Sequence, residues 1–224
     1  MFYNDSFKNW VFDLDNTLYD IRLGLFRKIS RRITKFIITK YNLSEHEAKE
    51  IQRYYYLKYG LTLRGLIVEK KLQPEEFLEY VHDVDHPELN EDHEIKNHLS
   101  KIIGNKMIFT NATFNHAEKI LNILNIRQYF DKIIDIKDLD YIPKPDINAY
   151  KIFIKKANIK KFELRKTIFV EDTVKNLIPA KEIGMTTVWM QNDMNSNDFN
   201  KNLKYVDYNF KNIKFFLKSI KVRC

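Results

Sequence analysis

Cysteine is almost absent from this chain of 224 residues, and its one copy, Cys224, is the last residue. No internal disulfide framework can form, so stability must come from a packed core, and a reducing compartment is compatible. Glycine is nearly as scarce. Five copies leave no room for a P-loop or a dinucleotide-binding fingerprint. Charges interrupt every apolar stretch, so no run is long enough for a signal peptide or a membrane span. Internal repeats, glycine-rich linkers and low-complexity tracts are also missing. The expectation is a soluble cytoplasmic protein with no membrane partner, a monomer or a weak homodimer.

What is present is enough for a core, since 44% of the residues are hydrophobic. The length permits one core domain plus an insertion. The net charge of +8 is spread along the chain. Arg27, Lys28, Arg31, Arg32 and Lys35 fall on one expected helix and read as a solvated face. A basic surface attracts anionic nucleotides at low salt and binds nucleic acid without specificity, so no specific nucleic-acid partner is expected.

The most informative segment is Phe12-Asp13-Leu14-Asp15-Asn16-Thr17-Leu18-Tyr19. The apolar stretch Trp10-Val11-Phe12 ends in two carboxylates two positions apart, as a buried strand delivering them to a sheet edge would. A carboxylate nucleophile splits phosphate-ester hydrolysis into two easier steps, and Asp13 is placed for that role. Asp15, in the following turn, is placed to protonate the leaving group and then to deprotonate water. Two carboxylates facing a phosphate dianion require a cation. Magnesium suits a site of carboxylates, waters and phosphate oxygens. On its own the segment also reads as a strand followed by an Asx turn.

Three later segments change that balance. Met107-Ile108-Phe109-Thr110-Asn111 is a second apolar run, ending in a hydroxyl and an amide that suit a phosphate cradle. Alternatively, Thr110 is only a cap. Tyr141-Ile142-Pro143-Lys144-Pro145-Asp146 pins one lysine between prolines and aims a point charge. Ile168-Phe169-Val170-Glu171-Asp172-Thr173 is a further apolar strand, ending in two acids. Asp172 is placed to complete a metal site with the Asp13 carboxylate and the Asp15 main-chain carbonyl. Glu171 would bind directly or through a coordinated water. Another strand is expected over Lys132-Ile133-Ile134-Asp135-Ile136, and a fifth over Thr186-Thr187-Val188-Trp189.

These four motifs, in this order, resemble the haloacid dehalogenase-like superfamily of phosphohydrolases over residues 10–189. Tyr59-Gly60-Leu61-Thr62-Leu63-Arg64-Gly65-Leu66, Tyr80-Val81-His82-Asp83-Val84-Asp85, Thr110-Asn111-Ala112 with His116-Ala117-Glu118, and Glu171-Asp172-Thr173 with Asn176-Leu177 look like its pyrimidine 5'-nucleotidase branch. The resemblance implies Asp13 as nucleophile and Asp15 as general acid/base. It implies Thr110, Asn111 and Lys144 as phosphate-binding residues, and Mg²⁺ held by Asp13, Asp15 and Asp172 with Glu171 beside them. Asn176 departs from many members, which carry an acid there. Dehalogenases of the superfamily do not use the second aspartate, so Asp15 argues against carbon–halogen chemistry. The implied substrate is a small phosphorylated metabolite, a pyrimidine nucleoside monophosphate such as UMP or CMP. Alternatives are a sugar-phosphate phosphatase, a phosphomutase, or a basic binding protein with a degenerate site.

Strands alternating with helical patterns predict an α/β fold: a three-layer, Rossmann-like parallel sheet with a helical cap inserted after the first strand. The expected division is a core of residues 1–18 and 100–224 and a cap of residues 19–99, with hinges near Asp20 and residues 100–105. Ser44 and Glu47 predict a capping box, and Pro74 a helix start. Pro179 is expected in the first turn of a short helix ended by Gly184. A short strand near Tyr208 and a last helix are expected in the tail, and residues 193–202 read as a mobile polar loop. His82-Asp83-Val84-Asp85-His86 resembles a metal cluster but lacks a clear third ligand, so Asp83 or Asp85 is expected to order the cap or meet substrate. Tyr54, Tyr55, Tyr56 and Tyr59 either pack in the cap or stack on a base. His116 either lies near the site or caps the helix that follows.

Overall fold

The computed structural model describes residues 2–191 and 203–221. Residues 193–202 and Cys224 lie outside the described residues. The strands are β1 (Phe2–Tyr3), β2 (Asn9–Phe12), β3 (Asn105–Phe109), β4 (Lys132–Ile134), β5 (Thr167–Glu171), β6 (Thr186–Met190), β7 (Tyr208–Phe210) and β8 (Ile220–Lys221). Six of them form one parallel sheet in the order β4-β3-β2-β5-β6-β7. β1 pairs separately with β8.

β2 sits between β3 and β5, and all four of its residues are buried. Its alternation divides the core. Trp10 and Phe12 face one apolar cluster, and Val11 faces the other. The helices are α1 (Leu25–Tyr41), α2 (Glu45–Tyr59), α3 (Thr62–Lys70), α4 (Pro74–His82), α5 (His93–Leu99), α6 (Phe114–Ile123), α7 (Ile147–Ala157) and α8 (Val174–Glu182). A last one, α9, spans Ile213–Ser219. Residues of α5, α6 and α9 cover one face of the sheet, and residues of α7 and α8 cover the other. Helices on both faces of a parallel sheet are the expected three layers. The chain leaves β2 for β3 and β4 on one side, then returns to β5 on the other. The carboxyl end of β2 is therefore the switch point where such sheets gather their ligands.

Helices α1–α4 carry a third cluster of their own, with Phe36, Ile37, Tyr55, Leu66, Phe77 and Val81 buried in it. α5 does not share that cluster. Ile95 and Leu99 pack with Trp10 and Phe12 of β2. In α2 the Ser44–Glu47 capping box is formed, and Pro74 opens α4 at its first turn. Gly65 lets α3 approach α2 closely, since a Cβ there would lie 2.2 Å from the Tyr55 ring.

Two elements differ from expectation. Pro179 lies inside α8, not in its first turn. The helix starts at Val174, almost directly after the acidic end of β5, so proline falls in its second turn and forfeits one backbone hydrogen bond. β4 stops at Ile134 because the Asp135 carboxylate accepts from the amides of Phe114 (2.7 Å) and Asp138 (2.9 Å), which turns the chain.

Candidate active site

The β2–α1 loop starts the site. Asp13 extends the sheet ladder by one bond, its amide donating to the Val170 carbonyl at 2.9 Å. The chain then turns through Asn16 at φ +60°, a conformation asparagine tolerates better than most residues. The turn brings the Thr17 hydroxyl back to donate to Asp13 Oδ2 at 3.1 Å. Lys144 Nζ donates to the other oxygen, Oδ1, at 2.7 Å. Both oxygens of the expected nucleophile are thereby oriented.

Lys144 is 1% exposed, and its three donors have three acceptors: Asp13 Oδ1, Glu171 Oε2 at 2.8 Å and the Phe109 carbonyl at 2.8 Å. Burial alone would push this ammonium down. The Asp13 and Glu171 carboxylates outweigh it and hold Lys144 above its ordinary value. The side-chain amide of Asn111 brackets the lysine main chain. Lys144 N donates to Asn111 Oδ1 at 2.9 Å, and Asn111 Nδ2 donates to the Lys144 carbonyl at 3.2 Å. On the far side of that loop sits Gly60, at the end of α2. A Cβ there would lie 3.1 Å from both the Lys144 carbonyl and Pro145 Cδ.

The end of β5 brings the remaining acids. Carboxylate oxygens of Asp13, Glu171 and Asp172 lie within 4.8 Å of one another, all buried. Burial and the neighbouring acids raise Asp13 to about 7 against the pull of Lys144. Burial, then the charges of Glu171 and Asp13, push Asp172 well above its ordinary value. Three carboxylates and one ammonium leave an excess of negative charge. An all-oxygen set with that excess fits a hard divalent cation. Glu171, like Asp13, is held at both oxygens, because it also accepts from the Thr173 amide at 3.0 Å. The main chain of Asp172 is fixed by the Trp189 indole, which donates to its carbonyl at 2.8 Å.

Asp15 faces a different environment. Its Oδ1 accepts from the Tyr19 hydroxyl at 2.6 Å and lies 2.9 Å from His116 Nε2. Burial pushes this carboxyl up, but the His116 ring and the Tyr19 hydroxyl outweigh it and hold Asp15 at about 2. Asp15 is not in the three-acid group, so among side chains the metal-ligand expectation gathers Asp13, Glu171 and Asp172 only. Thr113 caps α6 by accepting from the His116 amide at 3.3 Å, so His116 is not the cap. Its ring reaches the site instead. The His82 ring lies 4.8 Å from that of His116, and the His86 ring 5.6 Å. Burial is the main cause that lowers His82 to about 3 and His86 to about 4, so both are neutral at neutral pH.

Above these groups opens a cavity of about 1380 Å³ between the sheet edge and helices α1–α4. Asp13, Asp15, Thr110, Asn111, Lys144, Glu171 and Asp172 all line it. Thr110 Oγ1 accepts from the Ala112 amide at 3.0 Å, which leaves its O–H to donate. On the helical wall Arg31, Lys49, Arg53, Lys58 and Arg64 contribute. Among the described residues, no carboxylate of α1–α4 lines the cavity. Arg31, expected on a solvated face, borders the cavity, whereas Lys28 pairs with Glu88 at 2.8 Å. Of the tyrosines, Tyr55 is buried in the helical cluster and Tyr56 faces the cavity. Asp83 reaches Arg32 at 3.5 Å and is otherwise exposed, and Asp85 is fully exposed, so neither lines the cavity.

Sequence reading missed Tyr19 and the packing of His82 and His86 around His116. Tyr19 stood at the end of the quoted motif, four residues after Asp15, a separation that one tight turn closes. In the sequence His82 and His86 stand four residues apart and point to each other. Their common neighbour, His116, lies on a different element.

The haloacid dehalogenase-like hydrolase family matches residues 10–190. Phosphate metabolism protein 8 of Saccharomyces cerevisiae is 26% identical over 195 residues, 80% of this chain, and the chain spans 60% of that relative's length. Among solved structures, the HAD-hydrolase YfnB from Bacillus subtilis, bound to magnesium, superposes with a TM-score of 0.60 at 15% identity, covering 95% of this chain and 97% of that one. A HAD phosphatase from Thermococcus onnurineus gives 0.59 at 19% identity, with 94% and 96% covered. L-2-haloacid dehalogenase from Xanthobacter autotrophicus gives 0.55 at 14% identity, with 95% and 97% covered. No described helix is long and apolar enough to cross a membrane. With its four strand-end motifs gathered at one sheet edge, this chain belongs to the haloacid dehalogenase-like hydrolase family.

Proposed function

We propose that this protein is a magnesium-dependent phosphomonoesterase that works through a phosphorylated Asp13. The observation that carries this reading is the contrast at the β2 edge. Asp13 is held at both oxygens by Lys144 and Thr17, and Asp15 is held at one oxygen with the other left to the cavity. In the first step an Asp13 oxygen attacks phosphorus and the bond to the leaving oxygen breaks. Asp15 gives that oxygen its proton. In the second step Asp15 takes a proton from water, the water oxygen attacks phosphorus, and the Asp13 carboxylate departs. Asp15 is ionised at rest; a phosphate dianion close beside it raises its proton affinity, and it takes up from solvent the proton that it then gives to the leaving oxygen.

Asp13, Asp172 and the Asp15 main-chain carbonyl would hold the Mg²⁺ ion, with Glu171 behind them as the partner of Lys144. Bound there, the ion supplies charge neutralisation for the phosphoryl oxygens. Thr110 offers its hydroxyl to the same oxygens, and Asn111 acts through the lysine loop it brackets. A halide leaves without a proton, so a half-buried, oriented Asp15 favours ester over carbon–halogen cleavage. The relative named for phosphate metabolism and the solved HAD phosphatase are consistent with this choice.

Helices α1–α4 act as the cap, and α5 belongs to the core layer. The chain crosses between them near Asp20–Gly24 and again after His82. Lys49 and Lys58 of the cap wall pair with Glu45 and Glu69, and Arg31, Arg53 and Arg64 leave the wall cationic, which suits an anionic substrate. The preferred class is a pyrimidine nucleoside monophosphate, with Tyr56 and Phe26 as flat faces on the cavity wall. At about 1380 Å³ the cavity exceeds the roughly 300–1,000 Å³ of ordinary small-ligand sites, so a nucleotide fits with water to spare. Phosphate release with magnesium across nucleoside monophosphates and sugar phosphates tests the reading. Selectivity for UMP or CMP supports it. A leading sugar phosphate keeps the chemistry and replaces the substrate. A second phosphorylated product would make it a mutase, and silence across the panel favours a binding protein.

A further inference from the structure

We infer that Tyr19 and His116 are positioning residues for Asp15, holding its Oδ1 so that Oδ2 alone exchanges the proton. The inference rests on the phosphomonoesterase reading above. Two donors from different elements converge on one carboxylate oxygen: the Tyr19 hydroxyl at 2.6 Å, from the turn after β2, and His116 Nε2 at 2.9 Å, from the first turn of α6. Among the described residues, Oδ2 has no hydrogen-bond partner, and the Asp15 side chain remains 19% exposed toward the cavity it lines. A carboxylate free to rotate would present either oxygen. One clamped at Oδ1 presents a single oxygen in a single place, which is what proton transfer in a fixed geometry needs.

The direction of the His116 ring follows from its surroundings. Nε2 meets Asp15 Oδ1 at 2.9 Å, and Nδ1 is buried with no hydrogen-bond partner, so among the described residues Asp15 is the one hydrogen-bonding group the ring meets. The ring is held from behind by the end of the cap. His82 packs at 4.8 Å and 32°, with its own Nδ1 3.3 Å from Thr113 Oγ1, and His86 abuts it edge-on at 5.6 Å. His86 buries both ring nitrogens without a partner. Apolar side chains would fill this space without leaving three buried nitrogens unmet. The arrangement makes sense as support for a donor whose direction matters. It also means that both the core and the return from the cap set the direction of Asp15.

The test separates orientation from folding by the leaving group. p-Nitrophenolate departs with little need of a proton, and phenolate needs one more, so a misdirected acid should hurt phenyl phosphate more. We would measure kcat and KM for both esters with magnesium in the wild type, His116→Ala, His116→Gln and Tyr19→Phe, with a melting curve for each. The expected result for His116→Ala is a loss of about 10²-fold in kcat/KM on phenyl phosphate. On p-nitrophenyl phosphate the loss should be about tenfold smaller, with KM little changed. His116→Gln, which restores an N–H at a similar reach, should recover most of the difference. Tyr19→Phe should show the same selectivity at smaller size, and it carries the test if His116→Ala does not fold. Equal losses on the two esters in folded variants, or no loss, overturn the positioning role. A wild type that hydrolyses neither ester overturns the phosphomonoesterase reading and the inference with it.

Discussion

Two carboxylates two residues apart on one loop sit in opposite surroundings. Asp13 is crowded by Glu171 and Asp172, with one lysine among three acids, and its proton affinity rises to about 7. Asp15 faces a tyrosine hydroxyl and a histidine ring, and its affinity falls to about 2. Neither value belongs to the aspartate side chain itself, so the neighbours write the role. The acid-rich side has a charge excess that a cation and a phosphoryl group can use. The donor-rich side has no such excess and instead fixes a direction. Buried environments that push like groups apart are how one fold obtains both a nucleophile and a proton carrier.

The contrast can be broken one side at a time. Asp13→Asn removes the nucleophile and should lower steady-state phosphate release by roughly 10⁴–10⁶-fold while the fold persists, as circular dichroism would check. Ordinary turnover in that variant would place the chemistry elsewhere. Asp15→Asn should cost about 10²–10⁴-fold and let the phosphorylated enzyme accumulate, since the second step lacks its base. An acid quench would read that build-up, and its absence would separate Asp15 from the second step.

Lys144→Ala strands Asp13 and Glu171 in a site where the lysine is 1% exposed. Removing one partner of such a buried network costs about 3–5 kcal/mol, to be read by urea unfolding without metal. A loss below about 1 kcal/mol would mean the acids protonate or relax at little cost.

The mildest perturbation is pH. The raised affinities of Asp13 and Asp172 mean that the folded state holds protons the unfolded chain has released. Their stabilising contribution is complete below about pH 4, and in metal-free protein it is lost as pH rises above that, toward 7 for Asp13. Asp15 has the reverse sign, with its contribution present above about pH 4 and lost as pH falls toward 2. Magnesium at about a hundred times its Kd should add about 2.7 kcal/mol. The rise in Tm should be larger at pH 7 than at pH 5, where protons compete for the same oxygens. A shift independent of pH would argue that these acids do not hold the ion.

Much of the fold and the floor of the site was legible because both depend on local pattern. Apolar runs ending in Asp13, Thr110 and Glu171 are short strands whose ends share one sheet edge, and a parallel sheet leaves few other ways to arrange them. The capping box at Ser44 and the start at Pro74 are likewise local. What stayed hidden depends on docking between elements distant in sequence. Nothing in the sequence places His82, at the end of α4, against His116 in α6. Nothing in an asparagine after a threonine says that Asn111 will bracket Lys144. The expected cap of residues 19–99 takes in α5, and Ile95 and Leu99 of that helix share a cluster with Trp10 and Phe12 of β2. Pro179 misled for the opposite reason, since a strong local rule gave way to a helix that starts at the end of β5.

The most direct measurement is to trap the phosphoryl group. Asp15→Asn would be mixed with magnesium and p-nitrophenyl phosphate carrying a radiolabelled phosphoryl group, quenched in acid, digested and sequenced, with Asp13→Asn treated in parallel. The expected result is label on the peptide containing Asp13 and none in the Asp13→Asn protein. Turnover in the wild type, with no labelled aspartate or with label that survives Asp13→Asn, would contradict a phosphorylated Asp13.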